Sequence, residues 1–433
     1  MIVYQADWLC PATSPPIRNG SLAVEGNRIA FVGAEDLPQG AETIVYPGCA
    51  VIPGFVNAHA HLELTLFHGL LDNLSFPDWI ARLVRLKYQN CTQEALKVSA
   101  QLGVLEMLRA GITTVGEVMD VGTGWEAMLE FGLQGVAYQE VFGPAEAAAP
   151  EALRALQEKV KVHRRQETLT QRVGVSPHAP YTISKKLYES VRDYARHDGL
   201  RMTAHIAETG DETLFVQDGA GPFAEAHRRR SIDVVARGCP PVEYLDRLGL
   251  LGPDMLLVHA IETNSVDLDR IRESATHVVH CPKSNAYLGH RVAPVAAMRA
   301  QRIPVSLGTD SLASNEEFDM FAEMRMVSAQ QHLDFDDLFR MATIDGARAL
   351  GMEAHVGSLE TGKRADFAVV TLRDSDIDPI EAMIRFAKPA DIKATFVSGS
   401  EKVFDFSKVQ EDVRRIQHEL RKADISIGLE SQK

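Results

Sequence analysis

The chain has 433 residues, 45% of them hydrophobic and 24% charged, which is the make-up of a globular protein with a sizeable core and excludes a disordered or fibrous chain. A net charge of -14 excludes the clustered Lys and Arg of a nucleic-acid surface, and the longest basic run, His227-Arg228-Arg229-Arg230, reads as a solvated loop. Five scattered cysteines with no Cys-x-x-Cys pair exclude a disulfide framework and a thiolate zinc site, and neither an N-terminal signal nor a bilayer-length apolar run is present, so a soluble cytoplasmic protein with no membrane partner is expected.

Taken in order, residues up to about Tyr46 read as short strands with tight turns. Ser21-Leu22-Ala23-Val24, the turn Glu25-Gly26-Asn27 and Arg28 to Gly33 form a hairpin signature. Similar patterns return at Ala365 to Val370 and in a strand pair, Ile392 to Val397 and Lys402 to Phe406. A small β domain assembled from both termini, residues 1–52 plus 357–406, is therefore expected. Residues 53–356 alternate apolar runs with amphipathic segments. Val51 to Val56 opens the series. Glu94 to Ala110 carries Val98, Leu102, Leu105 and Leu108 at helical spacing, and Gly111 ends it. Further strands are expected at Ile112–Gly116, Gly135–Tyr138, Arg172–Val175, Arg201–His205, Met255–His259, Thr276–His280 and Ile303–Gly308. Eight strands separated by helices predict an α/β fold, a (β/α)8 TIM-like barrel with a small β-sandwich domain. A doubly wound open sheet is the alternative, weakened by the lack of a glycine-rich phosphate fingerprint after the first strand. Residues 407–433 read as a terminal helix and tail, with Val409, Val413, Ile416 and Leu420 on one face for the barrel or a second subunit.

The polar residues fall at one place in this pattern. His59 and His61 come just past the first strand, two apart, and so face one point as half of a metal site. His178 follows the fourth strand, His205, His259 and His280 end later ones, and Asp310 lies just past the last. Strand C-termini of a barrel converge on one face, which would gather these side chains around one cavity.

With these residues assembled, the chain resembles the amidohydrolase superfamily. The segments that carry the resemblance are Pro53 to His61, Ala204 to Thr209, Val258-His259-Ala260, His280 to Asn285 and Leu307 to Asn315. Within the superfamily it is similar to the branch of S-adenosylhomocysteine deaminases, triazine hydrolases and aminodeoxyfutalosine deaminases. Leu62-Glu63-Leu64, Thr309 to Asn315 and Asp72 to Ile80 look most like the aminodeoxyfutalosine deaminases of menaquinone synthesis.

The resemblance implies ligation of one divalent metal by His59, His61, His205 and Asp310. Zn²⁺ suits three imidazoles and a carboxylate, and Fe(II) is an alternative. Dinuclear superfamily members use a carbamylated lysine after strand four, and Val173 to His178 contains none, so a single ion is expected. The metal would lower the pKa of its water from about 15.7 towards 7 for attack on an amino-bearing ring carbon. Asp310 would take the water's proton, Glu208 would protonate the adjacent ring nitrogen, and His259 would orient the water. The resemblance leaves His178 to contact substrate or orient a ligand, and His280 to support Asp310 or the water or to serve as a core histidine. Ser284 would line the pocket or shape its turn, and Asn315 would fix the loop after strand eight.

The insertion Phe67 to Lys87 would form a lid in which Phe76 and Trp79 stack on a base or form the lid's own small core. Arg82 or Arg85 is expected to meet the benzoate of an aminodeoxyfutalosine substrate, with surface solvation as the alternative. The expected partner is a small-molecule nucleoside, with a homodimer as the expected assembly if the chain associates. Deamination of S-adenosylhomocysteine, methylthioadenosine or adenosine, dechlorination of a triazine, and a non-catalytic scaffold are the competing functions.

Overall fold

The computed structural model of the chain describes residues 1–34, 40–374 and 376–430, without the side chains of residues 408 and 423–430; the last three residues of the expected tail lie outside it. Its centre is a parallel sheet of eight strands: β1 (Phe55–Ala60), β2 (Ile112–Met119), β3 (Gln134–Val141), β4 (Gln171–Pro177), β5 (Met202–Ile206), β6 (Met255–His259), β7 (His277–His280) and β8 (Val305–Leu307). Each pairs with its sequence neighbour. The ends of the row meet through a parallel bridge between Ala60 and Asp310. Asn57 Nδ2 donates to Thr309 Oγ1 at 2.7 Å, and the Thr309 N–H donates to Asn57 Oδ1 at 3.1 Å, stitching β1 to β8. The row is thus a nearly closed barrel. One buried cluster gathers Val56 and Ala58 of β1, Val118 of β2, Val136 and Tyr138 of β3, Leu256 and Val258 of β6 and Val279 of β7.

The terminal strands form a separate mixed sheet of eight strands, reaching from Ile2–Leu9 to Glu42–Pro53 at one end of the chain and including Phe367–Thr371 and Ile392–Val397 from the other. The hairpin Ser21–Glu25 with Arg28–Gly33 is present. Two details differ from the sequence reading. The run Val51 to Val56 is not one strand: Val51 to Pro53 belongs to the mixed sheet, and Phe55 begins the barrel. The chain changes sheets at Gly54, where a Cβ would stand 2.1 Å from Thr113 Oγ1, so only glycine lets the two sheets approach there. The last hairpin is also shorter than expected: Ile392–Val397 pairs with Ser400–Glu401, and Lys402 to Phe406 carries no ladder.

Helix Gln93–Arg109 starts at Thr92, whose side chain accepts the Ala95 N–H, and supplies the expected apolar face. The lid carries helix Phe76–Arg85, capped by Ser75 with Pro77 in its first turn. The terminal helix Ser407–Glu430 lays Val413, Ile416 and Leu420 on the lid and on helix Gln93–Arg109, and Gln417 donates to the Leu66 carbonyl at 3.0 Å. Among the described residues no helix is long and apolar enough to cross a membrane.

Candidate active site

All the histidines singled out above stand at one rim of the barrel. His59 is the fifth residue of β1, inside the strand rather than past its end, and His61 follows it by two. His205 lies in β5, and His259 and His280 close β6 and β7. Asp310 follows β8 after Gly308, whose Cβ would meet the His59 carbonyl oxygen at 2.9 Å. The glycine allows the end of β8 to approach β1.

His61 Nδ1 is 3.0 Å from the Val118 carbonyl, and His205 Nδ1 is 3.2 Å from the His178 carbonyl. A carbonyl only accepts, so each Nδ1 carries the proton and each Nε2 presents a lone pair. Yet these two Nε2 atoms face each other at 3.3 Å. Two lone pairs so placed repel unless a cation lies between them. Nitrogens about 2.0–2.1 Å from a tetrahedral zinc stand about 3.3 Å apart, so the spacing fits. His59 Nδ1 and Nε2 are both buried without a hydrogen-bond partner, and Nε2 lies 3.7 Å from Asp310 Oδ1, as does His61 Nε2. Burial lowers all three imidazoles, His205 to about 3, which keeps them neutral and able to ligate. Asp310 is held well below its ordinary value, because the imidazoles outweigh the upward push of burial. Its carboxylate also accepts from Ser284 Oγ and the Ser311 N–H, each at 2.7 Å. The residues present therefore fit one divalent ion.

Glu208 sits beside this cluster. Its Oε1 is 3.6 Å from His259 Nε2 and 3.3 Å from His290 Nε2. Burial would raise its pKa, but His259 and His290 prevail and hold it below the usual value. The segment is locked from behind. Glu212 accepts the Ala207 N–H at 2.9 Å and the Glu208 N–H at 2.8 Å, and the Thr209 side chain accepts the Glu212 N–H. Ala207, His259 and Asp310 all have positive φ, at 51°, 73° and 58°. Left-handed backbone at non-glycine residues costs about 1–3 kcal/mol each and persists only where surroundings impose it. His259 Nδ1 is fixed by Asn285 Oδ1 at 2.9 Å, and Asn285 Nδ2 lies 3.4 Å from His280 Nδ1.

Above these groups lies a cavity of about 420 Å³, lined by His61, His205, Glu208, His259 and Asp310 on one side and by the lid's Phe76, Trp79, Ile80, Leu83 and Val84 on another. Phe76 and Trp79 stack on each other at 6.2 Å, and Trp79 Nε1 donates to the Ala313 carbonyl at 3.2 Å. His178 also lines the cavity, with its Nδ1 2.8 Å from Thr182 Oγ1. Arg82 and Arg85 lie on the lid helix but are not among the lining residues; the lining cations are Lys87 and Arg230. The helical turn explains this: Ile80, Leu83, Val84 and Lys87, spaced three and four apart, share the face turned to the cavity, which leaves 82 and 85 to the flanks. Ser284 stands behind Asp310 rather than in the cavity wall. His280 contacts Asn285 and not Asp310. Asn315 Nδ2 donates to the Thr309 carbonyl at 2.9 Å and to Glu323 Oε1 at 2.8 Å, tying the loop after β8.

Several residues escaped the sequence reading. Glu63 accepts the N–H groups of Asp120, Val121, Gly122 and Thr123, so a carboxylate from the first loop closes the start of helix Thr123–Phe131. Lys87 is buried between Asp120 at 3.2 Å and Glu63 at 3.7 Å. His290 left no signal, being one polar residue in a loop. Glu140 did leave one: it is an acid near the C-terminal end of a barrel strand, the same placement that exposed His205 and His259. Burial pushes it up to about 8.

Comparison with known proteins places these features. The amidohydrolase family model matches residues 50–402. A 5'-deoxyadenosine deaminase of Methanothermobacter thermautotrophicus is 33% identical, over 84% of this chain and 83% of its own. A 5-methylthioadenosine/S-adenosylhomocysteine deaminase of Nitratidesulfovibrio vulgaris is 32% identical, over 94% and 92%. An adenosine deaminase of Xanthomonas campestris solved with bound zinc superposes with a TM-score of 0.82 at 25% identity, over 97% of this chain and 98% of that one. The fold is shared by an aminofutalosine deaminase of Helicobacter pylori, with a TM-score of 0.82 at 22% identity over 93% and 100%.

Proposed function

Since the chain belongs to the amidohydrolase family, among hydrolases of C–N bonds whose curated relatives deaminate adenosine-type nucleosides, we propose that it removes the 6-amino group of a purine nucleoside, and specifically converts 6-amino-6-deoxyfutalosine and water to futalosine and ammonia in menaquinone synthesis. The observation that carries this reading is the composition of one cavity: a histidine cluster with Asp310 and Glu208 on one wall, and an apolar lid bearing Phe76 and Trp79 on another. The first wall suits hydrolysis at a ring carbon, and the second suits flat apolar surfaces. Arg230, an exposed cation on the same cavity wall, favours a tail that ends in a carboxylate.

His59, His61, His205 and Asp310 would hold the metal, which when bound supplies an acidified water and a Lewis acid. The chain's own groups do the rest. Asp310 accepts a proton from the attacking water. Glu208, between His259 and His290, exchanges a proton with the ring nitrogen beside the reacting carbon. His259, its Nδ1 engaged by Asn285, presents Nε2 to the water and to the developing charge. The purine stacks under Phe76 and Trp79, excluding bulk water, and the amino group departs as ammonia while a carbonyl replaces it.

A second reading, deamination of 5'-deoxyadenosine, methylthioadenosine or S-adenosylhomocysteine, is favoured by the named relatives. Ammonia release by the zinc-loaded protein from each of these, from adenosine and from 6-amino-6-deoxyfutalosine separates the two. The expected result is a kcat/KM for 6-amino-6-deoxyfutalosine at least about tenfold above the rest, equivalent to about 1.4 kcal/mol of tail recognition. A methylthioadenosine or S-adenosylhomocysteine preference would replace it by the second reading, and inertness towards all of them would end the deaminase reading and leave a triazine or a scaffold role.

A further inference from the structure

Glu140, in β3, is 7% exposed and lines the cavity, yet its Oε1 is fully buried with no hydrogen-bond partner. Nine in ten buried polar atoms are paired, so an orphaned carboxylate oxygen on a cavity wall calls for a ligand. Its neighbours do not supply the bond. Lys87 is turned to Asp120 and Glu63. His178 Nε2 is 3.9 Å away, beyond a hydrogen bond, and the other nitrogen of that ring is engaged by Thr182. Two polar atoms 3.9 Å apart on one wall can both be reached at hydrogen-bond distance by a third atom set to one side of the line that joins them. A hydroxyl both donates and accepts, so one hydroxyl can bond to both groups whichever of them carries a proton.

We propose that Glu140, with His178, binds a ribose hydroxyl of the nucleoside. This deepens the deaminase reading and rests on it. The site lies on the His205 side of the metal cluster, since Glu140, His178 and His205 bring ligating atoms within 4.8 Å of one another. A nucleoside held there would be gripped at its sugar while its base reaches the reacting groups. The grip discriminates against nucleosides that lack the hydroxyl, because the buried acid would then stay unpaired. The same triad could in principle hold a second cation, but His205 Nε2 already faces His61 and its Nδ1 the His178 carbonyl, which leaves that ring nothing to offer.

The test is a cycle of enzyme against substrate, with wild type and Glu140→Ala each assayed on adenosine, 2'-deoxyadenosine and 3'-deoxyadenosine. Wild type should lose about 10- to 100-fold in kcat/KM, mostly through KM, when one of the two hydroxyls is missing. Glu140→Ala should lose a similar factor on adenosine and nothing further on that deoxynucleoside, with Glu140→Gln recovering part of the loss. Equal losses on all three nucleosides, or an unchanged preference, overturn the proposal. Metal content per chain is read alongside: it should be the same in wild type and Glu140→Ala, and a drop of one ion in the variant would make Glu140 a ligand and overturn the sugar assignment. Wild type inert towards every 6-aminopurine nucleoside refutes the deaminase reading itself, whereas turnover without the hydroxyl coupling refutes only this one.

Discussion

Glu208 has two imidazoles within 3.6 Å and a backbone pinned by a second buried acid, Glu212. A loop carboxylate with no task needs neither. Replacing Glu208 by Gln keeps the shape and removes the exchangeable proton. The expected outcome is a kcat lower by about 10²- to 10⁴-fold with metal content unchanged, measured by steady-state ammonia release and elemental analysis. A kcat within about threefold of wild type would remove Glu208 from the chemistry. At this scale the sequence was legible where a polar residue interrupts an apolar strand near its C-terminal end, as at His205 and His259, or follows it closely, as at Asp310. It was not legible where identity alone cannot report environment. Nothing in Gly289-His290 announces contact with Glu208, and the positive φ of Ala207, His259 and Asp310 belongs to backbone that only the assembled barrel imposes. The same limit applies to Arg82 and Arg85: the sequence marks them as lid cations, but only the rotation of helix Phe76–Arg85 decides which side chains see the cavity.

Among elements, the loops after β1 and β2 act as a unit. Glu63 draws four consecutive N–H groups, from Asp120 to Thr123, onto one carboxylate, and Lys87 closes the charge from the far end of the lid. The arrangement couples lid, second strand end and histidine cluster, because the Val118 carbonyl just upstream orients His61. Glu63→Ala would leave those donors without their acceptor and the buried Lys87 with Asp120 as its remaining acidic partner. A loss of about 3–5 kcal/mol is expected in equilibrium denaturation, the range for breaking one partner of a buried ion pair. A change below about 1 kcal/mol would show that water or Asp120 substitutes for the carboxylate. The sequence reading found Leu62-Glu63-Leu64 only as a mark of family likeness. Its physical role needed the loop after β2, nearly sixty residues on. Helix Gln93–Arg109, by contrast, was legible from its apolar spacing and the glycine that ends it, both local signals. The first strand was legible but misplaced by one glycine, since Val51 to Val56 is apolar throughout and only the crowding at Thr113 divides it between two sheets.

For the whole molecule, the account rests on closure of the barrel. Strands β1, β5 and β8 lie far apart along the chain, and only the parallel pairing of eight strands with the Asn57–Thr309 stitch brings His59, His61, His205 and Asp310 to one rim. Alternation of strands and helices made that closure legible in advance. The second, mixed sheet was legible as a union of both termini, though the pairing of Phe367–Thr371 with Glu42–Pro53 could not be read from either end alone. The most direct test of the central claim is elemental analysis of the purified protein beside His61→Ala, His205→Ala and Asp310→Asn, each assayed for deamination before and after chelation. The account predicts one divalent ion per wild-type chain, its loss from the variants, and activity that disappears with chelation and returns to wild type alone when zinc is restored; full deamination by the chelated protein, or variants that keep both ion and activity, would contradict it.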